Sequence, residues 1–289
     1  MFRSVAWMVL SWAAAGQFFW QGSPPGSRTA VPAANACSLR GLSTSASQPL
    51  SATQLLAAYN TQAHAVRSVV AEARTRLLDK HERWVPVHVL AKRPYWARLI
   101  GYIPFGNKVL FDSTSNDRLF RLFLPRKGRF YVGPLESYSH LDPHYENVRP
   151  QHVFAATLWP EASPDADVHL AENSSGALEL TIRARDHSVP GLKIEFDRSR
   201  GVVNRMSLSE DEAIVETVRY EDWEATESAK SNARLCFPRH IWVERPAENV
   251  KFELQLLHVV LNDDLPAARF RLDPPIGVPL ITLDHTGAK

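Results

Sequence analysis

Between Ser51 and Ala73 apolar residues return every third or fourth position: Leu55, Leu56, Tyr59, Ala63, Val66, Val69, Val70 and Ala73. That spacing predicts one amphipathic helix of about six turns. Ser51, with Gln54 three residues on, supplies a capping box at its start. From Glu82 the period changes to two. Val85, Val87 and Val89 alternate with Pro86 and His88; Leu178, Leu180 and Ile182 alternate with Glu179, Thr181 and Arg183; Leu192, Ile194 and Phe196 alternate with Lys193, Glu195 and Asp197. Such runs predict half-buried antiparallel strands. Further strands are predicted at Pro94–Ile103, Lys108–Asp112, Asp117–Leu124, Gly128–Val132, Val202–Leu208, Ala213–Tyr220, Arg239–Glu244, Val250–Asn262 and near Phe270. Gly, Pro, Asn and Asp separate them at intervals too short for helical crossovers, which makes the series a meander. A second helical piece interrupts it. Arg149-Pro150 puts proline at a helix start, Val153, Phe154, Ala155, Leu158 and Trp159 follow, and Pro160 ends the run.

Tyr95–Tyr102, Leu119–Leu124 and Val250–Leu261 are apolar or aromatic on both faces. A sheet wetted on one side would not tolerate this, so apolar groups must cover the second face of the central strands, and the two helices are the candidates. The fold class expected is mainly β, of the α+β type: a single strongly curved antiparallel sheet, an unclosed half-barrel of about eleven strands, with both helices on its concave face. The charged turn Glu210-Asp211-Glu212 fits a hairpin better than a carboxylate dyad, since nothing sets a distance across a site.

Composition narrows the function. Of 289 residues, 45% are hydrophobic and 22% charged, enough for a full core. Thirty-three basic against 31 acidic residues leave a formal charge of +2, which argues against nucleic acid as a partner. Two cysteines, Cys37 and Cys236, are too few for a disulfide-built scaffold or a cysteine-rich zinc module. Residues 1–36 read as a signal segment, with Arg3 before an apolar run from Val5 to Trp20 that is short for a membrane span. Residues 37–50, rich in Ser, Pro, Gly and Ala together with the stretch before them, read as a flexible tether, and 51–289 as the folded domain. Ala34-Asn35-Ala36-Cys37 resembles a bacterial lipobox, which implies lipidation of Cys37, a membrane anchor and a place in the envelope. Plain signal-peptidase cleavage and a Cys37–Cys236 disulfide in an oxidising compartment are the competing accounts.

Several segments together resemble the bacterial lipoprotein-carrier superfamily, the LolA/LolB-like fold, and its tethered-lipoprotein branch. They are Leu55-Leu56-Ala57-Ala58-Tyr59-Asn60 and Val66-Arg67-Ser68-Val69; Arg93-Pro94-Tyr95-Trp96-Ala97-Arg98-Leu99; Phe120-Arg121-Leu122-Phe123-Leu124-Pro125; Asn147-Val148-Arg149-Pro150; Pro238-Arg239-His240-Ile241; and Phe270-Arg271-Leu272-Asp273-Pro274-Pro275. The resemblance runs from about Ser51 to Leu280 and implies a non-enzymatic pocket for acyl chains of a lipid or an acylated lipoprotein. The pocket residues expected are Trp96, Phe120, Leu122, Phe252 and Leu254. Val153, Phe154 and Leu158 are expected to form a lid, and Arg98 is the choice for the cation that ties lid to sheet. The alternative is an envelope lipoprotein that docks a protein partner and fills its pocket with its own side chains.

Other candidate chemistry is thin. His140, Asp142, His144 and His152 could gather a metal only loosely, so a solvated loop is the preferred account and neither metal nor cofactor is expected. No nucleophile elbow, zinc-protease helix, P-loop or dinucleotide fingerprint occurs, and no catalytic residue is assigned. Cys236 between Leu235 and Phe237 reads as a buried thiol. Trp159, Trp223 and Trp242 read as core aromatics or pocket lining.

Overall fold

The computed structural model describes residues 37–39, 50–78, 83–104, 108–116, 118–135, 149–163, 165–174, 176–184 and 190–283. Helix α1 (Ala52–Ala65) starts as predicted: the Ser51 N–H donates to Gln54 Oε1 at 2.8 Å and the Gln54 N–H to Ser51 Oγ at 3.2 Å. It ends at Ala65 after 14 residues, well short of the six turns expected. Ser68–Leu77 is instead β1, with Val69, Ala71 and Ala73 buried. Val66, Val69, Val70 and Ala73 satisfy either period. The strand prevails because β1 lies between two partners, Val69 pairing with Ala91 on one side and Leu261 on the other, where β-branched side chains pack well.

The other strands are β2 (Trp84–Lys92), β3 (Trp96–Tyr102), β4 (Val109–Ser115), β5 (Leu119–Leu124), β6 (Arg129–Pro134), β7 (Asp167–Glu172), β8 (Leu178–Arg183), β9 (Gly191–Asp197), β10 (Val202–Glu210), β11 (Ala213–Ser228), β12 (Ser231–Arg245), β13 (Val250–Leu261) and β14 (Leu280–Thr282). Helix α2 is Pro150–Thr157. All fourteen strands belong to one sheet in the order β14-β6-β5-β4-β3-β2-β1-β13-β12-β11-β10-β9-β8-β7. It is the expected unclosed, largely antiparallel half-barrel, with β1, β7 and β14 beyond the predicted set. Phe270 stands in a short 3-10 turn, Ala267–Phe270, rather than in a strand. The hairpin at Asp211 and Glu212 is the charged turn expected, with φ of 47° and 67° as a two-residue hairpin needs.

The strand order places α2. One meander, β1 to β6, runs from the middle of the sheet to one side; the other, β7 to β13, returns from the opposite edge to pair with β1. The connection between β6 and β7 must therefore pass from one side to the other, and α2 lies in that crossing, against β2, β3, β4 and β12. Inward side chains of the two meanders and the two helices make one continuous core. Gly101 is required there: a Cβ would lie 2.2 Å from the ring of Phe111, its partner across the strand pair.

A second, smaller cluster lies on the outer face, where Leu90, Leu265 and Phe270 pack with Val70 and Trp96. The doubly apolar strands are thus covered on their second face partly by the chain that follows β13, which the helices-only expectation missed. Leu39 is buried in the main core and its N–H donates to the Gly201 carbonyl at 2.8 Å. The start of the expected tether is therefore pinned to the domain. The signal segment, 1–36, lies outside the described residues.

Candidate functional site

Four of the five expected pocket residues point to the concave side. Phe120 and Leu122 on β5 and Phe252 and Leu254 on β13 are 0%, 0%, 2% and 1% exposed, so protein atoms cover them on every side. Trp96 does not join them. On β3 it is Ala97 and Leu99 that are buried inward, and Trp96 has the opposite parity, its ring tilted against Phe270 with centroids 5.7 Å apart. With a period of two, a single position decides the face.

The cover over these residues is α2 and the chain that leaves it. Val153 and Leu158 are buried against the concave core, whereas Phe154 is half-buried at the rim, 6.5 Å from Tyr95. Beyond the helix, Trp159 stacks on Tyr59 of α1 at 5.3 Å and 7° and abuts Tyr220 and Trp223 at 5.6 and 5.9 Å. The Tyr59 hydroxyl donates to the Pro160 carbonyl at 2.8 Å. Burial raises the pKa of both Tyr59 and Tyr220, so both are neutral phenols.

Three cations hold this cover. Arg149, fully buried at the N-cap of α2, donates from Nη1 to the Leu135 carbonyl at 2.7 Å and lies 5.5 Å from the centre of the Phe120 ring. Arg93, in the turn between β2 and β3, donates from Nε to Val66 O at 3.2 Å and from Nη2 to Ala63 O at 2.9 Å and Trp159 O at 2.6 Å. It thereby satisfies carbonyls that the end of α1 leaves open and ties them to the chain after α2. Arg98, the residue chosen from the sequence for this task, sits on the outer face instead, in a bidentate pair with Asp112 at 2.9 and 2.7 Å. Arg93 and Arg149 were legible only as charges inside apolar segments.

The third anchor is a charged cluster on β11, β12 and the turn before β13 that meets His152 of α2. Arg245 bonds Glu216, whose side chain is almost wholly buried, and Glu248, the latter from Nε at 2.8 Å; His152 of α2 stands 3.4 Å from Glu248. Burial draws the Glu248 carboxyl upward, but His152 and Arg245 beside it prevail and hold it at about 2. Burial pushes the pKa of His152 below its ordinary value, against the pull of Glu248. His152 is therefore an anchor of α2. His140, Asp142 and His144 lie outside the described residues, among which no group of His, Cys, Asp and Glu is arranged for a metal.

Cys37 is bonded to Cys236 on β12, closing a separation of 199 residues. A sulfur in a disulfide cannot also carry a thioether-linked lipid. The expected lipidation of Cys37 and the free thiol expected at Cys236 both give way to the third account, an oxidised pair. Beside it, Gln62 of α1 donates to the Cys236 carbonyl at 2.6 Å.

At the C-terminal end of α1 lies a cavity of about 680 Å³, lined among others by His64, Arg67, Arg93, Glu161, Lys230 and Asp264. Arg93 belongs both to this wall and to the bonds that hold the cover.

No family model matches the chain, and no curated protein is similar to it. Solved structures that it is similar to include a LolA superfamily protein from Nitrosomonas europaea, with 15% identity, TM-score 0.46, and coverage of 78% of this chain and 99% of that one. A DUF1329 family protein from Desulfovibrio piger matches with 10% identity, TM-score 0.47, and 75% and 94% coverage. An outer membrane lipoprotein-sorting protein domain from Vibrio parahaemolyticus matches with 10% identity, TM-score 0.46, and 76% and 97% coverage. The functional reading rests on the residues described above.

Proposed function

We propose that this protein is a non-enzymatic, exported binding protein that takes acyl chains of a lipid or a lipoprotein onto its concave face when α2 moves aside. The carrying observation is how the apolar concave face is closed. Two short helices lie over it, and α2 is held by a few side-chain anchors, Arg149, His152 and the Arg93 bond to Trp159. An acyl chain of about fourteen methylenes gains roughly 11 kcal/mol on leaving water, whereas uncovering Val153, Leu158 and Trp159 costs on the order of 5–9 kcal/mol. Exchange of cover for ligand is thus favourable in order of magnitude. The oxidised cysteine pair and the signal-like N-terminus support an envelope location.

A second reading is favoured by one observation, the near-complete burial of Phe120, Leu122, Phe252 and Leu254. It holds that the half-barrel is permanently filled and that the domain docks an envelope protein. Organic extraction of natively expressed protein, with mass spectrometry of the extract, separates the two. Acyl binding predicts co-purified lipid and uptake of a fluorescent fatty-acyl probe, which Leu254→Asn abolishes. An empty extract together with a parent protein that ignores the probe would sink the acyl reading and leave the docking module.

A further inference from the structure

Several pairs of opposite charge on the sheet close on one another: Arg98 meets Asp112 at 2.7 Å and Lys193 meets Glu179 at 2.9 Å. In the cavity at the end of α1 several do not. Lys230 Nζ stops 4.0 Å from Asp264 Oδ1, and Arg93 Nη1 stops 4.0 Å from Glu161 Oε1, which lies 3.1 Å from His64 Nδ1. Among the described residues, no hydrogen bond or ion pair engages the Arg67 side chain. Charges of both signs thus face one concave space of about 680 Å³, within the ordinary range for small-ligand sites, with their mutual pairing incomplete. Such a space suits a ligand that itself carries both signs at short separation. Guanidinium groups favour phosphate oxygens in a forked geometry, and carboxylates favour an ammonium. Arg93 adds to this: burial lowers its pKa, Glu161 and Tyr59 oppose that, and Arg67 lowers it further by like-charge repulsion that a bound anion would relieve.

We infer that this cavity binds a zwitterionic phosphodiester of the phosphoethanolamine class, its phosphate against Arg67, Lys230 and Arg93 and its ammonium against Asp264 and Glu161. Because Arg93 also donates to the Trp159 carbonyl, the headgroup site adjoins the cover of the concave face. A lipid seated there would have its acyl chains at the edge of that cover. The lipid form of the ligand rests on the acyl-binding function proposed above; the headgroup site itself does not.

The test is calorimetric titration of the full folded domain with glycerophosphoethanolamine, which has no acyl chains, with glycerophosphoglycerol, which has no ammonium, with inorganic phosphate, and with dihexanoyl phosphatidylethanolamine. The zwitterion should bind best of the three chain-free probes, and Arg67→Gln and Lys230→Gln should each weaken it about tenfold. Asp264→Asn should erase its advantage over glycerophosphoglycerol. These three side chains are outside the core, so the variants fold. Dihexanoyl phosphatidylethanolamine should bind more tightly than its headgroup alone, and Leu254→Asn should remove only that extra affinity. A parent that binds dihexanoyl phosphatidylethanolamine no more tightly than its headgroup, or an extra affinity that Leu254→Asn leaves unmoved, would refute the acyl reading alone. No heat with glycerophosphoethanolamine, binding unmoved by the Arg67 and Lys230 variants, or inorganic phosphate binding as tightly would overturn the headgroup site.

Discussion

Replacing Cys37 with Ser tests both the covalent structure and the place of the N-terminal segment. The bond to Cys236 closes 199 residues, and the chain-entropy relation gives about 5 kcal/mol for a loop of that size. The measured loss should be smaller, roughly 2–4 kcal/mol, because the freed segment also regains entropy in the native state, where Leu39 is what otherwise holds it among its described residues. For a chain of this size that corresponds to a fall in Tm of roughly 5–15 °C. Urea and thermal unfolding of the parent, of Cys37→Ser, and of Cys37→Ser combined with Cys236→Ser are to be compared with and without reductant. Reductant should lower the parent to the level of the variants and leave the double variant unmoved. Thiol titration of the unfolded, unreduced parent should find no free thiol. Two titratable thiols or a parent indifferent to reductant would refute the disulfide, and an N-terminal peptide carrying diacylglycerol on Cys37, with a single titratable thiol at Cys236, would also restore the lipid anchor.

The remaining predictions concern the cover and the core. Phe120→Ala should cost about 3–5 kcal/mol, because the ring is fully buried and faces Arg149, whereas Trp96→Ala, at the small outer cluster, should leave acyl-probe uptake unchanged; denaturant midpoints and probe titration check both. Acid should act in two stages. Burial keeps the pKa of His152 below its ordinary 6.5, so the unfolded chain binds that proton more readily and stability falls as pH drops through that value. Glu248, held at about 2 against 4.5, contributes fully above 4.5 and loses its contribution between 4.5 and 2. His152→Gln should remove the first stage from the pH dependence of the urea midpoint. Amides of α2 should exchange at much lower free energy than those of β13, and equal protection would argue that α2 is a fixed plug.

Period two made most strands legible, and the capping residues Ser51 and Gln54 placed the start of α1, because both signals are local and each residue carries its own part of them. The same locality explains the failures. Val66 to Ala73 fits both a helix and a strand; only pairing with β13, whose Leu261 comes some 190 residues later, makes it β1. Alternation divides a strand into two faces without saying which is inner, and so Trp96 was assigned to the wrong side of β3. Cys37 was read against its immediate neighbours as a lipid site, while its partner was fixed by the return of the second meander. The anchors of α2 were beyond local reading for the same reason. Glu216, Arg245, Glu248 and His152 come together only because the connection from β6 to β7 must cross the concave face, and Arg93 finds three carbonyls from two separate segments only once α1 and α2 are packed. Sequence fixes what each segment prefers; contacts between distant segments exist only in the folded chain, and the candidate site is made of them.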